Sequence, residues 1–503
     1  GAASTLYGSS AIGGVINIIT RESDDPWNLN LNSRFSEHND HRYGGTMGFN
    51  AGKFNSLTNV QYNNVDTYGV DNPGDFSTVF GSRVWNFKER LIYHPLETLK
   101  LTARAGYYFR ERNKPGDTQD RYRDFNGGLK ANYTFNTLSN LEVGYTFDQY
   151  DKSDYQVLYK NDVRDYSNVQ HNVHALYNYT FNEKHTLTVG ADYLRDYLMS
   201  YQFTDNANYI MHTADAFGQF DWNPTERLNV IAGLRFDYFS DSNVRHLSPH
   251  LGMMYKIGNC SLRGSYSQGF RSPTLKEMYM VFNMANMMMI YGNPDLKSET
   301  SHNFSLSAEY TKNRYNFSVT GYYNLVHNRI NTVYSDDPKG QIYTNTDKVG
   351  IAGVDANISA KYPCGLGFRM SYTYIHEFMR DGQKKFTDTR PHTATVRVDW
   401  GENLDKVDFN YSLNGRILSE VKTNVYNDSF NNPAAGSTAV TYPGYMIWDL
   451  TFSVGVFKGV NMNLAINNLF NYVPDYYYFN SPTTTGANLT LGLSLDIDRF
   501  FKK

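Results

Sequence analysis

Leu228-Asn229-Val230-Ile231-Ala232-Gly233-Leu234-Arg235-Phe236-Asp237-Tyr238 has an apolar residue at every even position, with Asn229, Gly233, Arg235 and Asp237 between them. A period of two is the mark of a β-strand, whose successive side chains point to opposite faces. Leu366, Phe368, Met370, Tyr372 and Tyr374 alternate in the same way with Gly367, Arg369, Ser371 and Thr373. Near the end of the chain, Leu489, Leu491, Leu493, Leu495 and Ile497 alternate with Thr490, Gly492, Ser494, Asp496 and Asp498. One face of each segment is wholly apolar. The other, built of Gly, Ser, Asp and Arg, cannot form a dry core. A wide barrel with a polar interior and a lipid-facing outer wall accommodates both faces.

The connections between such segments are asymmetric. Short polar turns recur, as at Gly52-Lys53-Phe54-Asn55, His94-Pro95-Leu96-Glu97, Asn136-Thr137-Leu138-Ser139, Ile257-Gly258-Asn259 and Pro363-Cys364-Gly365. Longer loops rich in Gly, Asn, Asp and Pro alternate with them, from Gly69 to Gly81, Lys114 to Arg121, Ser272 to Ser301, Thr423 to Thr441 and Pro474 to Gly486. Short turns on one rim and long loops on the other are the pattern of an outer-membrane barrel. Counting segments from Asn28 to Phe501 predicts an all-β fold, an antiparallel transmembrane β-barrel of about 22 strands, the size class of plugged transporters. Many segments exceed the roughly ten residues that cross a bilayer, so they are expected to project on the long-loop side.

Bulk properties agree. In 503 residues, 19% are charged and 16% aromatic, with 42 Tyr and 31 Phe. Abundant aromatics with few charges suit a barrel whose aromatic girdles sit at both membrane interfaces. Mean hydropathy is −0.56, as expected when polar lumen residues alternate with apolar ones. No run of about 18 apolar residues occurs, which excludes a transmembrane helix but not a barrel. Neither the net charge of −3 nor the charge pattern, which has no basic run, supports a nucleic-acid partner, and none is expected. Cys260 and Cys364, the two cysteines, fall at short turns of strands that are not neighbours. His171 and His174 are three apart on a strand and face opposite sides, so they cannot share a metal. There is no Ser/His/Asp set, no His-Glu-x-x-His and no phosphate-cradling glycine loop, so no catalytic or metal residues are assigned and the chain is not read as an enzyme. The lumen carboxylates Asp192, Asp237, Asp496 and Asp498 read as solvated wall. The last strand is expected to run to Ile497, with Phe501 in phase with the lipid face and Arg499 breaking it.

Three motifs carry a family resemblance. The chain opens with Ser4-Thr5-Leu6-Tyr7-Gly8-Ser9-Ser10-Ala11-Ile12-Gly13-Gly14-Val15-Ile16-Asn17-Ile18-Ile19-Thr20-Arg21. This closely resembles the end of the plug domain of TonB-dependent outer-membrane transporters, where it leads into the barrel. Gly269-Phe270-Arg271-Ser272-Pro273 and Asn293-Pro294-Asp295-Leu296 resemble the paired boxes of the same family, best known in its haem-uptake branch. Asn467-Asn468-Leu469-Phe470-Asn471-Tyr472 resembles its penultimate strand. The resemblance implies residues 1–26 as the C-terminal end of a plug and 27–503 as the barrel, in the bacterial outer membrane. It further implies a segment before Gly1 that engages TonB, outer-membrane lipid around the wall, and a surface lipoprotein as a further partner. The expected function is active import of an iron-containing ligand, with haem first, a ferric siderophore second and cobalamin behind. The iron compound is then cargo, and no resident cofactor is expected. The rival reading is a passive porin or adhesin barrel.

The ligand-binding candidates lie in the longest loop: Arg271, Lys276, Tyr279, Met280, Met284, Met287, Met288 and Tyr291. Arg271 and Lys276 supply cations and Tyr279 a stacking face. The methionine run from Met280 to Met289 reads either as a soft patch or thioether ligand for haem, or as packing for a small core under the loop, and packing is preferred. The resemblance departs from the haem branch at one point, since no His lies between Arg271 and Asn293.

Overall fold

The computed structural model describes residues 22–70, 78–240, 244–284, 288–346, 348–378, 384–404, 407–428, 431–474 and 481–501. The motif from Gly1 to Arg21 and the candidate Met287 lie outside the described residues. A single antiparallel sheet contains 22 strands. Each strand pairs with its predecessor and successor, and the first, Trp27–Phe35, pairs with the last, Asn488–Asp496, from Asn30↔Asp496 to Phe35↔Leu491. Closure leaves no open edge, the condition for crossing hydrocarbon with strands.

Alternation assigns the two faces. In Leu228–Phe239, Leu234 and Phe236 are 48% and 47% exposed on the outer wall, while Arg235 and Asp237 between them are 5% and 1% exposed on the inside. Aromatics finish the short-turn ends of the wall, among them Phe49, Tyr93, Phe181, Trp222, Tyr310 and Trp400. The asymmetry of the rims is as expected, with one difference. Residues from Thr118 onward already pair with the following strand, as Thr118↔Gln156, so the connection expected from Lys114 to Arg121 shrinks to 113–117. The strands Thr118–Asn136, Ser139–Gln156 and Asn161–Phe181 contain 19, 18 and 21 residues. At a rise of about 3.3 Å and a tilt near 40° they stand roughly 45–55 Å tall, well above an apolar band of about 25 Å.

Local chemistry sets the ends. The ladder register shifts between Tyr93 and Leu96, which places Pro95, with no N–H to give, at an irregularity. Gly365 has φ +84°, and a side chain there would collide with the Gly401 carbonyl oxygen. The last strand stops at Asp496, and Ile497–Phe501 forms a helical turn instead of extending the alternation. Leu29 N–H donates to the Asp498 carboxylate at 3.2 Å, so a side chain finishes the ladder there. Phe501 lies 6.1 Å from Trp27 by ring centroids. Cys260 and Cys364 are both free thiols.

Candidate functional site

After strand Cys260–Arg271 the longest loop turns inward across the barrel mouth. Its helix Leu275–Tyr279 begins with a capping box: Glu277 N–H donates to Thr274 Oγ1 at 3.3 Å, and Thr274 N–H donates to the Glu277 carboxylate at 2.8 Å. Leu275 and Met278 are buried against Leu198, Phe203, Met211, Phe239 and Phe270, a small apolar core inside the mouth. Thr274→Ala removes the reciprocal cap, which is worth about 1 kcal/mol. Amide exchange over 275–280 then accelerates about fivefold, with the barrel strands unchanged.

The remaining candidates of this loop occupy different environments. Arg271 donates to Glu299 at 3.1 and 3.0 Å and to Glu277 at 2.9 Å. Lys276 Nζ lies 4.9 Å from the centre of the Tyr166 ring, and burial pushes its ammonium below the ordinary lysine range. Tyr279 stacks on Tyr209 at 3.9 Å and 5°. Met280 is buried. Met284 pairs with Met288 in a hairpin whose second strand carries Tyr291, all three half-buried. That second strand runs parallel to Lys339–Thr346 of the next long loop, through Ile290↔Gln341 and Tyr291↔Ile342. The two loops thus share one four-stranded sheet outside the barrel.

A second group of residues, absent from the sequence-based candidates, lines the inner wall facing this lid. Across the strand Leu99–Arg112 and the three tall strands that follow it, Arg110↔Tyr122, Tyr122↔Lys152 and Lys152↔Tyr166 are register partners. Cations and aromatic faces therefore alternate along one inward row, and Tyr150 joins it from the row below, 6.3 Å from Tyr122 and 6.1 Å from Tyr166. Arg110 lies 5.8 Å from the Tyr122 ring centre. Lys152 is held by Asp165 at 2.9 Å. Among the described residues, neither Arg110 nor Lys276 has a carboxylate within ion-pair distance. Two cations over tyrosine faces, without carboxylates to neutralise them, suit a flat anionic ligand. The signal in the sequence was the alternation of Tyr with Arg and Lys on segments too long to be only membrane wall.

Tyr166 and Lys276 also line a cavity of about 610 Å³, together with Asp192, Asp215, Arg235 and Asp237. Arg235 is 2.6 Å from Asp215 and 2.9 Å from Asp237. Asp237 is therefore not solvated wall: it is 1% exposed and paired with Arg235, and it shares its cavity with Ser272, Pro273 and Thr274 of the lid. Asp498 is likewise buried, in its case beneath the ladder end it completes. Among the described residues, no group of three His, Cys, Asp or Glu is arranged to hold a metal ion.

A closed 22-stranded barrel, long loops folded over one mouth and a match of residues 91–469 to the TonB dependent receptor-like β-barrel family settle the assignment. The chain belongs to that family. It is a bacterial outer-membrane receptor. The receptor is 23% identical over 98% of its length to the iron-regulated outer membrane virulence protein of Vibrio cholerae, covering 78% of that protein. It is 22% identical over 94% of its length to the ferrienterobactin receptor of Escherichia coli, covering 74%. The heme/hemopexin utilization protein C of Haemophilus influenzae is 22% identical over 56% of the receptor and 44% of that protein. Among solved structures, the ferric enterobactin receptor of Pseudomonas aeruginosa superposes with a TM-score of 0.82 at 16% identity, covering 99% of the receptor and 85% of that chain. That likeness shows the fold alone. The relatives are outer-membrane transport receptors rather than enzymes.

Proposed function

We propose that the receptor imports a ferric siderophore whose iron-binding arms are flat and anionic, with TonB-coupled energy. The observation that carries this reading is the inward row Arg110–Tyr122–Lys152–Tyr166 beneath Lys276. The names of the ferrienterobactin relative and of the structural neighbour support it. This reverses the order expected from the sequence, where haem came first. Haem stands second, favoured by the heme/hemopexin relative. An axial imidazole is the common ligand of haem iron, and His246, on a strand beside the lid core, is stacked on Phe270 at 4.3 Å with its Nε2 buried. Family membership favours import over a passive porin or adhesin.

Tyrosine fluorescence of the purified full-length receptor tests this. A ferric tricatecholate is expected to quench it saturably. Arg110→Ala and Lys276→Ala are each expected to weaken binding about tenfold, roughly 1.4 kcal/mol, and nearly additively. Because burial lowers the Lys276 ammonium from the ordinary 10.5, affinity falls as pH rises through a value below 10.5, and Lys276→Ala abolishes that fall. A saturable Soret shift with haem, and no quenching by the ferric tricatecholate, overturns the proposal.

A further inference from the structure

The outer wall carries a feature that import does not use. Strand His185–Ser200 places Arg195 on the lipid-facing side, in phase with the exposed Val189 and Tyr193, while Asp192, Leu194 and Asp196 line the internal cavity. Its register partners are His171 on one side and His212 on the other. The row continues through Phe147 next to His171. The rows directly above and below, Gln149–Val169–Tyr197–Ile210 and Tyr145–Val173–Tyr193–Ala214, contain no carboxylate. Asp196 faces inward and accepts from the Asn168 amide at 2.7 Å and the Gln170 amide at 3.1 Å. Among the described residues Arg195 therefore has no carboxylate partner.

Both imidazoles are held in place. Tyr145 Oη lies 2.9 Å from His171 Nδ1, and Tyr193 Oη lies 2.7 Å from His212 Nδ1. In the tautomer where the phenol donates to Nδ1, the neutral ring carries its proton on Nε2 and donates from there. The same cross-strand pair recurs outside this row at Tyr266–His302, 2.9 Å, and Tyr372–His392, 2.7 Å.

Depth decides what meets these groups. His171 lies ten residues from Phe181, and His212 ten from Trp222, the aromatics at the short-turn ends of their strands. At about 3.3 Å per residue and a tilt near 40°, ten residues rise about 25 Å, the height of the apolar band. Arg195 and its flanking histidines thus sit at the outer interface. There an arginine costs about 0–1 kcal/mol, against about 2–4 at the midplane. A guanidinium flanked in register by two imidazoles, with no carboxylate in the rows directly above and below, matches the oxygens of a phosphate.

We propose that His171, Arg195 and His212 form a docking site for phosphate-bearing lipid head groups of the outer leaflet. The occupant is membrane lipid, because the site opens onto the wall that lipid surrounds. Native mass spectrometry of the detergent-purified full-length receptor tests this with three probes: a diphosphorylated disaccharide glycolipid, its dephosphorylated counterpart and inorganic phosphate. The wild type is expected to retain the phosphorylated glycolipid at least tenfold better than the dephosphorylated one, with no competition from millimolar inorganic phosphate. Arg195→Gln lowers retention about tenfold and His171→Gln with His212→Gln severalfold. Arg369→Gln, the same charge change on the lumen side, leaves retention at the wild-type level. Each variant is first confirmed as folded by its heat-modifiable gel mobility. Equal retention of the two glycolipids, displacement by inorganic phosphate, or unchanged retention by Arg195→Gln overturns the proposal.

Discussion

Arg235→Met is expected to lower the stability of the folded barrel by about 3–5 kcal/mol, the cost of removing one partner from a buried ion pair. The side chains of Arg235, Asp215 and Asp237 are only 6%, 5% and 1% exposed, so removing the guanidinium leaves two mostly covered carboxylates without their cation. Methionine approximates the stem of arginine and restores no charge, so lost volume contributes little to the change. The measurement is the temperature at which the compact form disappears on a semi-native gel, or the midpoint of denaturation in detergent. Changing the partners as well, Arg235→Met with Asp215→Asn and Asp237→Asn, is expected to recover most of the loss, because the two carboxylates that faced the guanidinium are then neutral. A single Asp215→Asn keeps the Arg235–Asp237 contact at 2.9 Å and costs much less. If the triple variant is no more stable than Arg235→Met alone, the loss comes from packing and not from stranded charge.

The residues of that triad also show how far the sequence can be read. Alternation over Leu228 to Tyr238 correctly assigns Arg235 and Asp237 to the inner face, because a strand has only two faces and lipid claims the apolar one. The same reasoning reaches the strand count, the closure and the asymmetry of the rims. It does not reach burial on the polar side. Whether an inward carboxylate meets water depends on which loop folds over it, and that is a contact between residues distant in sequence. Asp237 shares its cavity with residues 272–274 of the lid. The row Arg110–Tyr122–Lys152–Tyr166 was hidden for a related reason. Its members lie on four strands and become neighbours only once the register is known. Boxes around Arg271 and Asn293 are visible as local motifs, and attention goes to them first. In the folded chain Arg271 is bound by two carboxylates, whereas Lys276, in the same loop, is left over an aromatic face. The C-terminus differs for a local reason, since a carboxylate from Asp498 replaces a ladder bond and lets the chain turn into a helix.

Arg271→Ala is expected to release the lid while leaving the barrel intact. Its guanidinium joins three separate pieces of chain: the end of its own strand, Glu277 in the lid helix, and Glu299 at the start of the next strand. Glu299 in turn accepts the Ile330 N–H at 2.7 Å, at the root of the second long loop. Both carboxylates are mostly covered, with side chains 14% and 12% exposed, so removing the cation strands two anions close together. Arg271 itself is 22% exposed, which admits some water, and a local loss of about 3 kcal/mol follows, the low end for a broken buried pair. Hydrogen exchange over 275–284, 288–291 and 329–346 should accelerate about a hundredfold, since each 1.4 kcal/mol is a factor of ten in the opening equilibrium. The 22-stranded ladder does not depend on this contact, so the gel transition that reports on Arg235 should barely move. Arg271→Lys offers a point charge where a forked guanidinium reached two carboxylates, and is expected to restore only part of the protection. Glu277→Gln loosens the helix alone, and Glu299→Gln loosens both loops, because only Glu299 also holds Ile330. A uniform rise in exchange across barrel strands and loops would show that Arg271 supports the wall and not the lid. Selective release would mean that the two loops move as one body hinged on a single cation, with Lys276 carried away from its tyrosine wall each time that body opens.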